Sequence, residues 1–237
     1  MRVTIINGSP GKEDSNTAFV LSYLIKGMEQ KGIKIGTIYT TDLDVKPCIG
    51  CFKCHSIHIG RCFQKDDMAE VHKKLKNTDL LILATPVYGP LPCKFQSFLN
   101  RLVPLMEPLL EFRDGRTRAK FHDDVKISKV FAVVVGGWWE KGNLDLPATI
   151  IEEFCENHSV PLVGILKRPH ATYLQQFNEN TRTFRTAIED IGTMLVEKGE
   201  VDEDLLHIVS SPLVEESSFR ETSNINYLSR KESQNIK

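Results

Sequence analysis

Short runs of aliphatic residues alternate along the chain with segments whose apolar residues recur at helical spacing. The aliphatic runs predict five strands, at 2–7, 33–40, 79–84, 129–135 and 160–166. The periodic segments predict helices between them, beginning near Ala18, Met68, Leu91 and Ile150. The runs at 79–84 and 129–135 are almost continuously apolar, which is typical of parallel strands covered on both faces. This alternation predicts an α/β fold with a doubly wound, five-stranded parallel sheet.

The segments outside this alternation predict additions to the sheet. A charged stretch at 111–126 separates the third helix, 91–105, from the fourth strand, and we expect it to be an exposed insertion. A last amphipathic helix carries an apolar stripe formed by Phe184, Ala187, Ile188, Ile191 and Leu195. Beyond residue 201 the chain is polar, and 217–237 has little to bury. We predict a domain over 1–200, with a cysteine loop at 47–62, and a helical extension over 201–237 that is an oligomerisation arm or partly disordered.

Charge and hydropathy exclude several classes of partner. The formal net charge of -1 gives no electrostatic reason to expect nucleic acid. No apolar run approaches the ~18 residues that a membrane span requires, and the first residues do not form a signal peptide. We therefore expect a cytoplasmic protein with no nucleic-acid or membrane partner. Its thiols then stay reduced and are available for metal binding or redox chemistry.

The loop after the first strand, 8–17, is rich in groups that can hold a phosphate. Ligands of parallel α/β sheets bind at the carboxyl ends of the strands, where helix N-termini offer free N–H groups. The candidate donors here are Ser9, Ser15, Asn16 and Thr17. The loop is no P-loop, because Glu13 follows Gly11-Lys12, and it lacks a G-x-G-x-x-G motif, which disfavours triphosphates and dinucleotides. The alternative is that Ser15 or Asn16 only caps the helix.

Two further loops follow the third and fourth strands and belong to the same edge of the sheet. The first consists of Thr85, Pro86, Val87 and Tyr88. The second begins with Gly136, Gly137, Trp138 and Trp139, where glycines permit close backbone approach and an indole can cover a flat ring. The alternatives are that Tyr88 is an ordinary loop aromatic and that the tryptophans belong to a subunit interface.

Four of the six cysteines lie close together in the cysteine loop, at Cys48, Cys51, Cys54 and Cys62. Zinc sites usually use two separated pairs, whereas thiols at successive x2 spacing around a turn at Gly50 resemble the loops that wrap a cubane [4Fe-4S] cluster. Zinc, a redox-active thiol set and a degenerate site are the alternatives. His55 and His58 are either additional ligands or exposed loop histidines. Cys93 and Cys155 fall in helical segments, where we expect inert packing residues.

The loops resemble those of the NADPH-dependent FMN reductase superfamily over about residues 1–165. The matching residues are Gly8-Ser9-Pro10 with Ser15-Asn16-Thr17, and Thr85-Pro86-Val87-Tyr88 with Lys94, Phe98 and Arg101. The resemblance implies a flavodoxin-like fold with strand order 2-1-3-4-5 and non-covalently bound FMN. It implies that the first loop holds the FMN phosphate and that Tyr88 lies beside the isoalloxazine ring.

The cysteine motif is similar to that of the iron–sulfur flavoproteins, a branch of the same superfamily. This resemblance implies FMN and a [4Fe-4S] cluster as cofactors, and electron transfer between them without a catalytic side chain. It also implies a homodimer or homotetramer in which a cluster approaches a flavin of a neighbouring subunit. A small redox partner or a small-molecule electron acceptor is expected. The order 2-1-3-4-5 predicts that the cysteine loop and the phosphate loop share one end of the sheet.

Two rival interpretations keep the fold and change the chemistry. One is an NAD(P)H-dependent FMN or quinone reductase without a cluster. The other is a non-enzymatic redox sensor that uses the thiols or a zinc ion as a switch.

Overall fold

A parallel sheet forms the centre of the computed structural model, which describes residues 1–176 and 178–235. The strands are β1 (Arg2–Asn7), β2 (Lys34–Tyr39), β3 (Leu80–Pro86), β4 (Met106–Arg113), β5 (Arg116–Phe121), β6 (Lys129–Val135) and β7 (Leu162–Arg168). Five of them form the sheet, in the order β2-β1-β3-β6-β7, with every neighbouring pair parallel. Because β4 and β5 form a separate hairpin, the sheet strands alone have the predicted order 2-1-3-4-5. The flavodoxin-like fold is confirmed.

Helices cover both faces of the sheet. They are α1 (Asn16–Glu29), α2 (Lys53–Ser56), α3 (Met68–Lys76), α4 (Cys93–Asn100), α5 (Asp145–His158), α6 (Glu179–Glu197), α7 (Glu203–Ser210) and α8 (Glu216–Asn235). One hydrophobic core lies between the sheet and α3, α4 and α5. A second core lies between the sheet and α1, α6 and α7. Within the described residues, none of the helices combines the length and apolarity that a membrane crossing requires.

The two cores explain why the central strands are apolar throughout. Successive residues of a strand point to opposite faces of the sheet. In β6, Phe131 and Val133 join the core under α1 and α6, whereas Val130 and Ala132 join the core under α4 and α5. Both sets are buried, so the strand has no polar face.

The apolar stripe predicted on the last helix belongs to α6, and α1 of the same chain covers it. Phe184, Ile188 and Leu195 are buried in the core that α1 shares. The two helices touch through their backbones, because a methyl group on Gly192 would overlap the carbonyl oxygen of Leu24. The stripe is therefore part of the core of its own chain and is not available as a subunit interface.

The charged segment expected to be an exposed insertion is mostly a β-hairpin. β4 and β5 pair antiparallel, with Arg113 opposite Arg116. Asp114 and Gly115 make the turn, with φ values of 50° and 77°, and positive φ at both central residues is typical of a type I′ turn. Phe121 is buried against the core, so part of the segment is structural.

Two further element boundaries differ from the prediction. α4 ends at Asn100, and a separate 3₁₀ turn at Val103–Leu105 replaces the rest of the predicted helix. Pro104 explains the break, because proline has no N–H to continue the α-helical bonds. The polar C-terminal segment is the helix α8, although its side chains from 220 to 234 are exposed. Residues 236–237, for which disorder was also expected, lie outside the described residues.

Candidate functional site

The predicted phosphate loop is a tight turn held by β1, β3 and α4. The Gly8 N–H donates to the Ala84 carbonyl oxygen at 2.8 Å, which joins the loop to β3. A methyl group on Gly8 would lie 2.6 Å from the ring of Phe95 in α4, so this contact requires glycine. Ser9 is buried, and its N–H donates to Asn7 Oδ1 at 2.9 Å. The loop therefore has little freedom to change its path.

Ser15 caps α1, as the alternative interpretation anticipates. Its Oγ accepts a hydrogen bond from the Ala18 N–H at 3.1 Å and donates one to the Lys12 carbonyl oxygen at 2.6 Å. Capping by Ser15 does not use all of the N–H groups at the start of α1. The N–H groups of Asn16 and Thr17 precede the first intrahelical hydrogen bond, and a helix N-terminus attracts negative charge.

A buried polar group next to this loop was not singled out from the sequence. Asn7 is fully buried at the end of β1, and its Nδ2 has no hydrogen-bond partner among the described residues. The hydroxyl of buried Thr40, just after β2, likewise lacks a partner in the described part of the chain. Buried polar groups are normally paired, so this edge fits a site that a polar ligand completes. The sequence feature that could have identified Asn7 is its position as an asparagine at the end of an apolar strand.

The loops after β3 and β6 lie side by side at the same edge. The Val87 N–H donates to the Val135 carbonyl oxygen at 3.0 Å. The Gly136 N–H donates to the carbonyl oxygen of the last residue of β7 at 2.8 Å. Thr85 is buried, and its Oγ1 donates to the Pro86 carbonyl oxygen at 2.9 Å. The structure thus brings together the three loops 8–17, 85–88 and 136–138, here named the strand-end loops.

Aromatic rings lie exposed on two of the strand-end loops. Tyr88 is 56% exposed and Trp138 is 74% exposed. Nothing lies within 4 Å of the position that a methyl group on Gly137 would take. Exposed rings beside an open glycine leave space for a flat ligand. Trp139 differs from Trp138, because its Nε1 donates to the Val214 carbonyl oxygen at 2.9 Å and holds the C-terminal segment.

The cysteine loop brings all four of its cysteines to the wall of one cavity of about 60 Å³. The loop is irregular, with α2 as a single helical turn and positive φ values at Gly50, Phe52 and Gly60. The rest of the cavity wall is mainly apolar. Within the described residues, no three His, Cys, Asp or Glu side chains form a ready-made site for a single metal ion. His55 is not part of the cavity wall, and its Nε2 lies 3.3 Å from the Val103 carbonyl oxygen.

The surroundings of Cys54 disfavour its thiolate form when no metal is bound. Burial raises the pKa of Cys54, and the charges of Cys62, Cys48 and Cys51 as thiolates raise it further. A bound metal centre relieves such repulsion, because its positive charge favours the thiolate form. The donor set therefore fits a thiolate-ligated metal centre.

The two cysteines outside the loop differ from each other. Cys155 is buried in the core, and burial raises the pKa of its thiol to about 12, which makes it the inert packing residue expected. Cys93 is exposed at the start of α4. The expectation that Cys93 is a packing residue is therefore wrong.

A buried ion pair closes the base of the cysteine loop. Asp66, just after the loop, and Arg101, at the end of α4, have side chains that are 0% and 1% exposed. Arg101 Nη1 lies 2.5 Å from Asp66 Oδ2 and Nη2 lies 3.0 Å from Oδ1. The Lys46 N–H, just before the loop, donates to Asp66 Oδ2 at 3.0 Å, and Arg101 Nη1 donates to the Lys46 carbonyl oxygen at 2.6 Å. Both ends of the loop are thus held by the same pair.

The cysteines lie at the opposite end of α4 from the phosphate loop. The phosphate loop packs on Phe95 near the start of α4, whereas the cysteine cavity is lined by Asn100 and Arg101 at its end. At 1.5 Å per residue, about 9 Å of helix separates Phe95 from Arg101. The segment that leads from β2 into the cysteine loop does leave from the expected edge of the sheet. There, Lys94 Nζ at the start of α4 donates to the Leu43 carbonyl oxygen at 3.2 Å. The cysteines themselves lie beside the end of α4, and a shared end of the sheet for flavin and cluster stays a prediction.

Comparison with known proteins defines the class of this chain. The profile of the NADPH-dependent FMN reductase family matches residues 1–145, and the chain belongs to this family. It is thus an FMN-dependent oxidoreductase.

The chain is similar to proteins named iron-sulfur flavoprotein. One, from Archaeoglobus fulgidus, is 27% identical over 73% of this chain and 77% of the relative. Another, from Methanocaldococcus jannaschii, is 34% identical over 44% of this chain and 53% of the relative.

Solved structures share the fold at low sequence identity. An FMN-dependent NADH-azoreductase from Bacillus anthracis, in complex with FMN, superposes with a TM-score of 0.57 at 12% identity, over 83% of this chain and 100% of that chain. An NAD(P)H:quinone oxidoreductase from Methanothermobacter marburgensis superposes with a TM-score of 0.55 at 17% identity, over 83% of this chain and 98% of that chain. At these identities the likeness establishes the fold.

Proposed function

We propose that this FMN-dependent oxidoreductase transfers electrons between FMN and a [4Fe-4S] cluster bound by Cys48, Cys51, Cys54 and Cys62. The observation that carries the proposal is the cavity in the cysteine loop, whose wall contains all four thiols. The names of the similar iron-sulfur flavoproteins support the same cofactor pair. When bound, FMN accepts two electrons and releases them singly, and a cubane cluster carries one electron at a time.

The strand-end loops are the proposed FMN site. Ser9, Ser15, Asn16 and Thr17 would hold the phosphate, because the loop ends at a helix N-terminus with free N–H groups. The flavin ring would lie against the loops that contain Thr85, Pro86, Val87, Tyr88, Gly136, Gly137 and Trp138. Tyr88 and Trp138 supply aromatic surface, and Gly137 leaves the space open. The unpaired Nδ2 of Asn7 adds a donor that the sequence-based set did not include.

The proposed cluster is favoured over zinc by the composition of the loop. Structural zinc takes four ligands that converge at about 2.3 Å on one point, commonly from two separate Cys pairs. A cubane binds one cysteine at each iron, so its ligands surround a larger group. Three cysteines at x2 spacing and a fourth across an apolar cavity match the second arrangement better.

We also propose that the chain forms a homodimer or homotetramer in which the cysteine loop lies at the interface. The loop exposes several large apolar side chains, at 40% to 68% of their surface: Ile49, Phe52, Ile57, Ile59 and Phe63. Such concentrated apolar exposure is typical of a surface that contacts another protein. An interface there would bring the cysteines of one subunit to a neighbouring subunit, which suits transfer between subunits. The external electron acceptor would then be a small redox partner or a small molecule.

The test is a quantitative analysis of anaerobically purified and reconstituted protein. We expect about one FMN, four irons and four acid-labile sulfides per chain, with a broad visible absorbance beneath the flavin bands. Flavin bands alone, with stoichiometric zinc and no iron after reconstitution, would support an NAD(P)H-dependent FMN or quinone reductase without a cluster. Reactive thiols without flavin or metal would instead support the redox sensor.

A further inference from the structure

Arg101 uses only part of its hydrogen-bonding capacity on the protein. A guanidinium group has five N–H donors in one plane. Nη1 donates to Asp66 and to the Lys46 carbonyl oxygen, and Nη2 donates to Asp66. Because Asp66 occupies the end of the guanidinium, the Nε–H and the second Nη2 hydrogen lie together along another edge of the plane.

This remaining edge carries a buried donor without a partner among the described residues. Arg101 Nε is buried and has no hydrogen-bond partner in the part of the chain that the structure describes. A buried donor without an acceptor is costly and therefore uncommon. Arg101 lines the cysteine cavity, so its side chain borders the space that the thiols surround.

The guanidinium also keeps its charge beside the thiols. A guanidinium stays protonated in proteins, and its two hydrogen bonds with the Asp66 carboxylate stabilise that charge. Arg101 and Cys62 both line the cysteine cavity. A permanent positive charge lies next to a group of sulfur ligands, in a largely apolar wall.

We propose that Arg101 donates hydrogen bonds to cluster sulfur atoms near Cys62 and raises the reduction potential of the cluster. This inference rests on the proposed cluster and adds a role for a side chain that binds no iron. A cubane with four thiolates carries net negative charge, so N–H donors and positive charge at its sulfurs favour the reduced state. Asp66 is a positioning residue, because it holds the guanidinium plane from the other side.

The test compares cluster midpoint potentials, followed by electron paramagnetic resonance in an anaerobic redox titration. Arg101→Lys keeps the charge but removes the planar edge. The double variant Asp66→Asn with Arg101→Gln removes both buried charges and leaves no carboxylate unpaired, so it protects the fold better than a single change. Arg116→Gln is the matched control, because Arg116 is exposed and pairs with Glu153.

We expect the double variant to keep its iron and FMN while its cluster becomes harder to reduce. At a fixed potential the oxidised-to-reduced ratio should rise at least about tenfold, which is about 59 mV for a one-electron couple. Arg101→Lys should shift the ratio in the same direction by less, and Arg116→Gln should not shift it. FMN affinity should be unchanged in all three, because the phosphate loop lies at the other end of α4.

The possible results test the role of Arg101 and the presence of the cluster separately. An unchanged potential in iron-loaded Arg101→Lys and in the double variant would overturn the role of Arg101 and leave the cluster intact. If the double variant lost its iron, an unchanged potential in Arg101→Lys would still overturn the role. A wild-type chain that takes up zinc and no iron would overturn the cluster first, and the role of Arg101 with it.

Discussion

The strand-end loops and the cysteine loop are positioned by different means. The strand-end loops follow β1, β3 and β6, which are neighbours in the sheet, so the strand register brings them together. The cysteine loop contains one short helix and no strand within its described residues. Its ends are held by the buried pair of Asp66 and Arg101. The sheet therefore positions the strand-end loops, whereas contacts of a few side chains position the cysteine loop.

This difference implies that the two sites can be lost separately. A change within the cysteine loop removes no strand or core residue of the sheet. A change at the phosphate loop lies at the far end of α4 from the cysteines. The following predictions test this independence, beginning with the largest expected effect.

Cys51→Ser should remove nearly all iron and acid-labile sulfide and leave FMN binding close to that of the wild type. A short loop cannot easily replace a central thiolate ligand, and the phosphate loop is a different segment. Iron, sulfide and flavin assays on the reconstituted variant measure both effects. Cys93→Ser is the control, because Cys93 is exposed outside the loop and should change neither content. Full iron content in Cys51→Ser would contradict the assignment of this ligand.

Asp66→Ala should lower the free energy of unfolding by about 3–5 kcal/mol, because it leaves the buried Arg101 charge unpaired. Urea unfolding of the FMN-bound protein measures this change. Glu70→Ala, which breaks an exposed pair with Lys73, should have no measurable effect. An equally small effect of Asp66→Ala would show that the pair does not hold the loop.

The same pair should make stability depend on acid pH. Burial alone would raise the pKa of Asp66, but hydrogen bonds from Arg101 and the Lys46 N–H leave it lowered. A lowered folded-state pKa stabilises the protein above the unfolded value of about 3.9, and this stabilisation is lost as pH falls through the folded value. The stability difference between wild type and Asp66→Ala should therefore shrink as the pH falls below about 4. A difference that grows in acid would contradict this sign.

Ser15→Asp should weaken FMN binding by about 1.5–3 kcal/mol, because its carboxylate replaces a donor and repels the phosphate. Aspartate caps helices as well as serine does, so thermal stability should stay near that of the wild type. Titration of the apoprotein, followed by quenching of flavin fluorescence, measures the affinity. Ser22→Asp adds the same charge farther along α1 and is the control. Equal affinities in the two variants would exclude Ser15 from the phosphate site.

Gly192→Ala should destabilise the protein by about 1–3 kcal/mol without changing iron or FMN content, because the added methyl group meets the backbone of α1. Thermal unfolding measures the change, and Gly142→Ala, where the nearest neighbouring atom lies at 3.8 Å, is the control.

Truncation before Thr181 removes all of α6 beyond its first residues. Loss of the folded state, rather than a change of assembly, is the expected result of that truncation.

The strands of the sheet could be predicted because the apolar pattern of each strand matched its burial in the fold. The continuous apolar run of β6 indicated a strand covered on both faces, and both cores contain its residues. The β4–β5 hairpin was missed, although Asp114-Gly115 is a strong turn signal, because the flanking strands are highly charged. The path of the cysteine loop could not be predicted, since it depends on Asp66 and Arg101, which are 35 residues apart.

The most direct test of the central claim is an anaerobic reductive titration of the holoprotein with dithionite. A flavin takes two electrons and a cubane takes one, so wild type should consume about three electron equivalents per FMN. Cys51→Ser should consume about two, with the flavin absorbance bleached to the same extent. Consumption of about two equivalents by both proteins would contradict the account, because the cysteine loop would then carry no one-electron centre.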